Sequence, residues 1–131
     1  QAIDKAIERL AKKAKEKGFV QLNSDKGKVL LYFDRIDYII VSDSDSRDKT
    51  VYLSDGRTLL LKNISLSKLQ EVLPYQLFCQ INKKEVVALR IVQYYSNDEI
   101  TSTILNAGTP VVFTLSEIYK SNFLEKLDSL S

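Results

Sequence analysis

From residue 19 to residue 114 the chain is a succession of short β-branched and aromatic runs broken by polar or glycine turns. Runs of that length and composition fit a pleated, half-buried surface and are too short to make a helix face. Residues 19–23 and 28–33 flank a Ser-Asp-Lys-Gly turn, and residues 36–42 follow as another run. Residues 51–53 and 58–61 flank Ser54-Asp55-Gly56-Arg57, which has the residue types of a hairpin turn. Further strands are expected at residues 77–81, 85–87, 91–95, 99–105 and 111–114, with Asn97-Asp98 and Ala107-Gly108 as turns. Crossover helices do not alternate with these strands, so a doubly wound α/β fold is excluded.

Helices are expected at three places. Ser65 has the character of an N-cap, with Leu66, Leu69, Val72 and Leu73 on one face and Pro74 just beyond. Residues 116–127 read as a closing helix capped by Ser116, with Ile118, Tyr119, Phe123, Leu124 and Leu127 apolar. Residues 2–17 form a third, in which Ile3, Ile7, Leu10 and Ala14 recur at helical spacing and Gly18 is the stop. That stripe is narrow and rich in alanine, which suits a linker or a two-helix seam better than a core helix. The fold class is therefore mainly β, with one or two short helices and a preceding N-terminal helix.

Composition narrows the chemistry. The chain has no histidine, which removes the commonest general base and the usual zinc and iron ligand. Its one cysteine, Cys79, can form neither an internal disulfide nor a thiolate cluster, and it suits a reducing cytoplasm. No catalytic residue, cofactor site or metal site is expected. A hydrolase built on carboxylates alone has no recognisable motif here. No apolar run has the ~18–20 residues of a membrane span. The chain begins with Gln and lacks Met, so it reads as a piece of a longer protein. Residues 1–18 hold six basic and three acidic side chains, while residues 19–131 hold 13 and 14. Any surface for phosphates in the β-rich part must then be local.

Three stretches carry a resemblance. Residues 35–43, RIDYIIVSD, are like an I-x-Y-I-E strand running into a polar loop. Residues 64–92, ISLSKLQEVLPYQLFCQINKKEVVALRIV, follow S-L-x-x-L-x-x-x-L and then F-x-R-I-H-R-S-Y-I-V-N-L. Ser65, Leu66, Leu69, Leu73, Phe78, Ile81, Val86, Val87 and Leu89 fall in register. Residues 113–127, FTLSEIYKSNFLEKL, end as I-P-V-S-R-R-Y-x-x-x-F-x-x-x-L does, with Ser116, Tyr119, Phe123 and Leu127 matching. In order and spacing these resemble the LytTR family of bacterial DNA-binding domains. The family's His-Arg-Ser is Asn82-Lys83-Lys84 here, its Asn before Leu is Ala88, and its paired basic residues are Glu117-Ile118.

The resemblance implies the output domain of a bacterial transcriptional two-component response regulator that binds double-stranded DNA sequence-specifically in the cytoplasm. It makes residues 1–18 a linker helix from an upstream receiver domain and residues 19–131 the DNA-binding domain, with a homodimer on two half-sites. It places DNA contacts at Arg47 and Lys49 in the 42–49 loop, at Asn82, Lys83 and Lys84 in a hairpin turn, and at Ser116, with Lys120 and Arg90 as further candidates. Each residue also has a plainer explanation. Arg47 and Lys49 can offset Asp43, Asp45 and Asp48; two lysines in a turn can be solvated charge; Ser116 can be a cap. The tyrosines, Tyr94 and Tyr95 among them, fit strand packing better than a stacking platform for bases, because adjacent strand residues face opposite ways. A second function stays open: a LytTR-like module that has lost its arginine contacts and binds another protein.

Overall fold

The computed structural model describes residues 5–130. The start of the first helix, Ile3 and the side chains of Ile7 and Leu10 lie outside that description. The chain divides into two compact units, one through Tyr75 and one from Gln76 onward.

In the first unit, α1 (Lys5–Lys17) precedes β1 (Phe19–Ser24), β2 (Gly27–Tyr32), β3 (Ile36–Val41), β4 (Lys49–Leu53), β5 (Thr58–Leu61) and the short α2 (Leu66–Val72). Neighbouring strands are antiparallel, in the spatial order β2-β1-β5-β4-β3. Gly18 ends α1 with its N–H on the Ala14 carbonyl at 2.8 Å and φ at +81°, a backbone region that favours glycine. Of the described stripe residues Ala14 is buried and Ala6 exposed, and α1 packs against α2 and β1. Ser65 caps α2, its hydroxyl accepting from the Lys68 N–H at 3.1 Å. Leu66, Leu69, Val72 and Leu73 are buried, as are Ile36, Ile39, Val51 and Leu61 of the sheet, and together they belong to the core of this unit.

The second unit holds the hairpin β6 (Phe78–Asn82) and β7 (Glu85–Ala88), then β8 (Val92–Tyr95), β9 (Glu99–Asn106), β10 (Thr109–Thr114) and α3 (Glu117–Leu130). The last three strands form an antiparallel sheet in the order β10-β9-β8. Its two-residue turn has φ of +54° at Ala107 and +82° at Gly108. Both values are the signs that a type I′ hairpin needs, and the strand twist selects that turn. β10 starts at Thr109, ahead of the expected residue 111, because an edge strand tolerates Pro110.

One expectation about the last helix changes. Ile118, placed on the apolar face of the last helix, is 82% exposed. Lys126 sits inside instead, donating from Nζ to the Phe78 carbonyl at 2.6 Å. Burial pushes its ammonium pKa down. Phe123 is fully buried and meets the Tyr95 ring edge-on at 5.3 Å. Taken together, the architecture is mostly antiparallel β-sheet with a few short helices.

Candidate nucleic-acid interface

In the first unit the 42–48 loop is closed by Ser42 N–H on the Asp48 carbonyl at 3.0 Å. Asp45 holds Arg47 on three bonds. Its Oδ1 accepts from the Arg47 backbone N–H at 3.0 Å and from Nε at 3.1 Å, and its Oδ2 accepts from Nη2 at 2.8 Å. These donors draw the Asp45 carboxyl down to about 2. Arg47 is nonetheless 76% exposed at its side chain.

Asp48 stitches this loop to the stretch before α2. Its Oδ2 accepts from Lys62 Nζ at 2.7 Å and its Oδ1 from the Asn63 N–H at 3.0 Å, and the Ile64 N–H reaches the Arg47 carbonyl at 3.0 Å. Lys62 and the Asn63 amide hold the Asp48 carboxyl below its ordinary value. The polar 42–48 segment is therefore a fixed loop.

Lys49 requires a correction. It was expected in the loop beside Arg47, but it is the first residue of β4 and only 4% exposed. Strand alternation puts it on the same inward face as Val51. Its Nζ donates to the Ser46 carbonyl at 2.7 Å, and burial lowers its pKa. Its ammonium is thus turned back onto its own loop.

In the second unit Asn82 also differs from expectation. Its Nδ2 donates to Glu85 Oε1 at 2.7 Å and to the Thr114 carbonyl at 2.9 Å, and its Oδ1 accepts from the Lys84 N–H at 2.9 Å. An amide committed in this way fixes the β6–β7 turn and has no donor left over to read an adenine edge. Lys83 and Lys84 at the turn are exposed and have no ion pair among the described residues.

The turn is brought next to Ser116. The Ser116 N–H donates to the Ile81 carbonyl at 2.9 Å, and the Ser116 carbonyl accepts from the Tyr119 N–H at 3.0 Å as α3 begins. Lys83, Lys84 and Ser116 thus share one end of this unit, joined through Asn82 and Thr114. Arg90 does not join them. It lies in the single turn Leu89–Ile91 beyond β7, and four residues of strand carry the chain about 13 Å. Lys120 is engaged with Asn97 Oδ1 in the β8–β9 turn.

The tyrosines pack as strand residues. Tyr38 and Tyr52, cross-strand partners on β3 and β4, stack at 4.3 Å, and Tyr32 meets Phe19 at 5.1 Å with the Arg35 guanidinium over its ring. Of the adjacent pair, Tyr94 is 63% exposed and Tyr95 46%, the latter with its ring edge against Phe123. Cys79 is fully buried in β6, and burial raises its thiol pKa. Among the described residues no three His, Cys, Asp or Glu side chains gather as a metal site, and no helix is long and apolar enough to cross a membrane.

Sequence reasoning missed Lys68 of α2, which lines an open cleft with Arg47. It stands on the polar face between Leu66 and Leu69, where lysine is ordinary, so the pattern carried no sign of it.

No protein-family model matches the chain, and no curated protein does. Among solved structures it is similar to the LytTr DNA-binding domain of a Bacillus cereus protein described as a methyl-accepting/DNA response regulator. The TM-score is 0.64 at 18% identity, covering 84% of this chain and 96% of that one. A likeness at that identity is one of fold. The chain has the fold of a LytTR DNA-binding domain.

Proposed function

We propose that a domain with this fold and these cationic turns binds double-stranded DNA as the output domain of a transcriptional response regulator. One observation carries the proposal: Lys83 and Lys84 stand exposed on a turn that Asn82 locks to Thr114 and that lies beside Ser116. Ammonium groups carried on a fixed turn meet phosphates without the backbone first losing freedom. Arg47 supplies a guanidinium on a second fixed loop, where it can donate to phosphate or to guanine O6 and N7. In the same proposal α1 joins the domain to an upstream receiver, and two copies occupy two half-sites of DNA.

A second reading has an observation of its own. Glu117 and Ile118 occupy the positions of the family's paired basic residues, and Ile118 is 82% exposed. An open isoleucine beside an acid suits a protein partner better than a duplex.

Titration of the chain against random-sequence and genomic duplexes at two salt concentrations separates the two. DNA binding predicts a random-duplex Kd of about 10⁻⁴–10⁻⁶ M that weakens as salt rises, and a small set of genomic sites bound far more tightly. Absence of binding to any duplex in dilute buffer would leave the protein-partner reading.

A further inference from the structure

We propose that the cleft between the 42–48 loop and α2 seats a phosphate group, and that the group comes from the backbone of a bound duplex. The inference rests on the DNA-binding reading and adds to it a site distinct from the Lys83–Lys84 turn. The cleft is open, about 430 Å³, and Ser46, Arg47, Lys49, Asn63, Ser65 and Lys68 are among its walls.

Charge is arranged for an anion. Among the described residues no carboxylate lines the cleft. The two acids nearest to it in sequence are spoken for, Asp45 by Arg47 and Asp48 by Lys62. Lys68 is exposed and has no carboxylate partner among the described residues. The clamp on Arg47 uses Nε and Nη2, and a guanidinium has five donors, so it keeps others for an oxygen of the ligand. Lys49 adds a third positive charge while its own hydrogen bond stays with Ser46. A concave wall of one sign concentrates its field on whatever anion enters.

The walls are also fixed before any ligand arrives. Asp48 bonds to both Lys62 and Asn63, and the Ile64 N–H bonds to Arg47, so the two stretches form one frame. A charge-assisted contact to phosphate made on such a frame costs little ordering of the backbone. Lys68 is the new element: it would hold the backbone phosphate together with the neighbouring Arg47.

The test uses the chain with Lys68→Ala, with Lys68→Arg and with Lys83→Ala plus Lys84→Ala, each titrated against random-sequence and genomic duplexes over a salt series. Thermal melts first establish that each variant folds. Lys68→Ala is expected to lower the slope of log K against log salt by about one unit, equally for all sequences, and Lys68→Arg to retain it. A Lys68→Ala slope equal to wild type, with a reduced slope in the Lys83–Lys84 variant, overturns the cleft assignment and leaves DNA binding intact. Absence of duplex binding by the wild type overturns both. A parallel titration with inorganic phosphate and with a mononucleotide reads the amide shifts of Asn63, Ser65 and Lys68. Saturating shifts there, with the Lys68→Ala duplex slope unchanged, would assign the cleft to a free phosphate compound and overturn the backbone source.

Discussion

Replacing both lysines of the β6–β7 turn should change how DNA binding depends on salt more than it changes anything else. Lys83 and Lys84 are exposed, have no ion pair among the described residues, and sit on a backbone fixed by three bonds from Asn82. Their removal therefore takes two positive charges from the surface without opening a buried group, and the melting temperature should hold. Each phosphate contact contributes about −0.9 to the slope of log K against log salt on B-form DNA, so two contribute about −1.8. Across a fourfold rise in salt, from about 50 to about 200 mM, the wild type should weaken roughly twelvefold more than the double variant. Fluorescence anisotropy with a labelled random-sequence duplex measures this directly, and Lys26→Ala in the β1–β2 turn controls for the loss of charge alone. If wild type and double variant weaken by the same factor over that range, the turn does not touch phosphate and the placement of the interface is refuted.

Asp45→Asn releases Arg47 from its clamp and removes a negative charge from the loop, so duplex affinity should rise by several-fold, read in the same anisotropy assay. Asn82→Ala strips the β6–β7 turn of its link to Thr114 and should cost about 1–3 kcal/mol in chemical denaturation, with weaker DNA binding beside it. Ala107→Asn puts a residue that tolerates positive φ where the hairpin needs one, and should add up to about 1 kcal/mol, seen as a higher melting temperature. The pH dependence follows from the carboxylates. Asp45 titrates at about 2 and Asp48 and Asp55 are lowered too, by hydrogen bonds from Arg47, Lys62 and Arg57. A carboxyl with a depressed folded-state pKa stabilises fully above its unfolded value, about 3.9, and its contribution is lost as pH falls through the folded value. With no histidine in the chain, stability and DNA affinity should be flat from about pH 6 to about pH 8 and decline only in acid below about pH 4.

Local chemistry made much of the fold legible without coordinates. The bounds of β5, the Ser65 cap and the Ala107-Gly108 turn all follow from residue types a few positions apart, because strand alternation, capping and turn geometry are decided over such distances. The exposed lysine turn was also legible, as a pair of charges between two apolar runs. The fate of the other polar side chains was not. Lys49 went inward once β4 began two residues early and shared its face with Val51. Asp48 found Lys62 fourteen positions away, and Asn82 found Thr114 thirty-two positions away. On α3 the expected apolar Ile118 stayed out and Lys126 went inside, since which stripe of a helix is covered depends on what it packs against. The sequence by itself determined strands, turns, caps and the lack of histidine chemistry. Tertiary structure decided which charges are committed to holding loops and which stay open to a phosphate, because a hydrogen bond between distant residues exists only after the chain has folded.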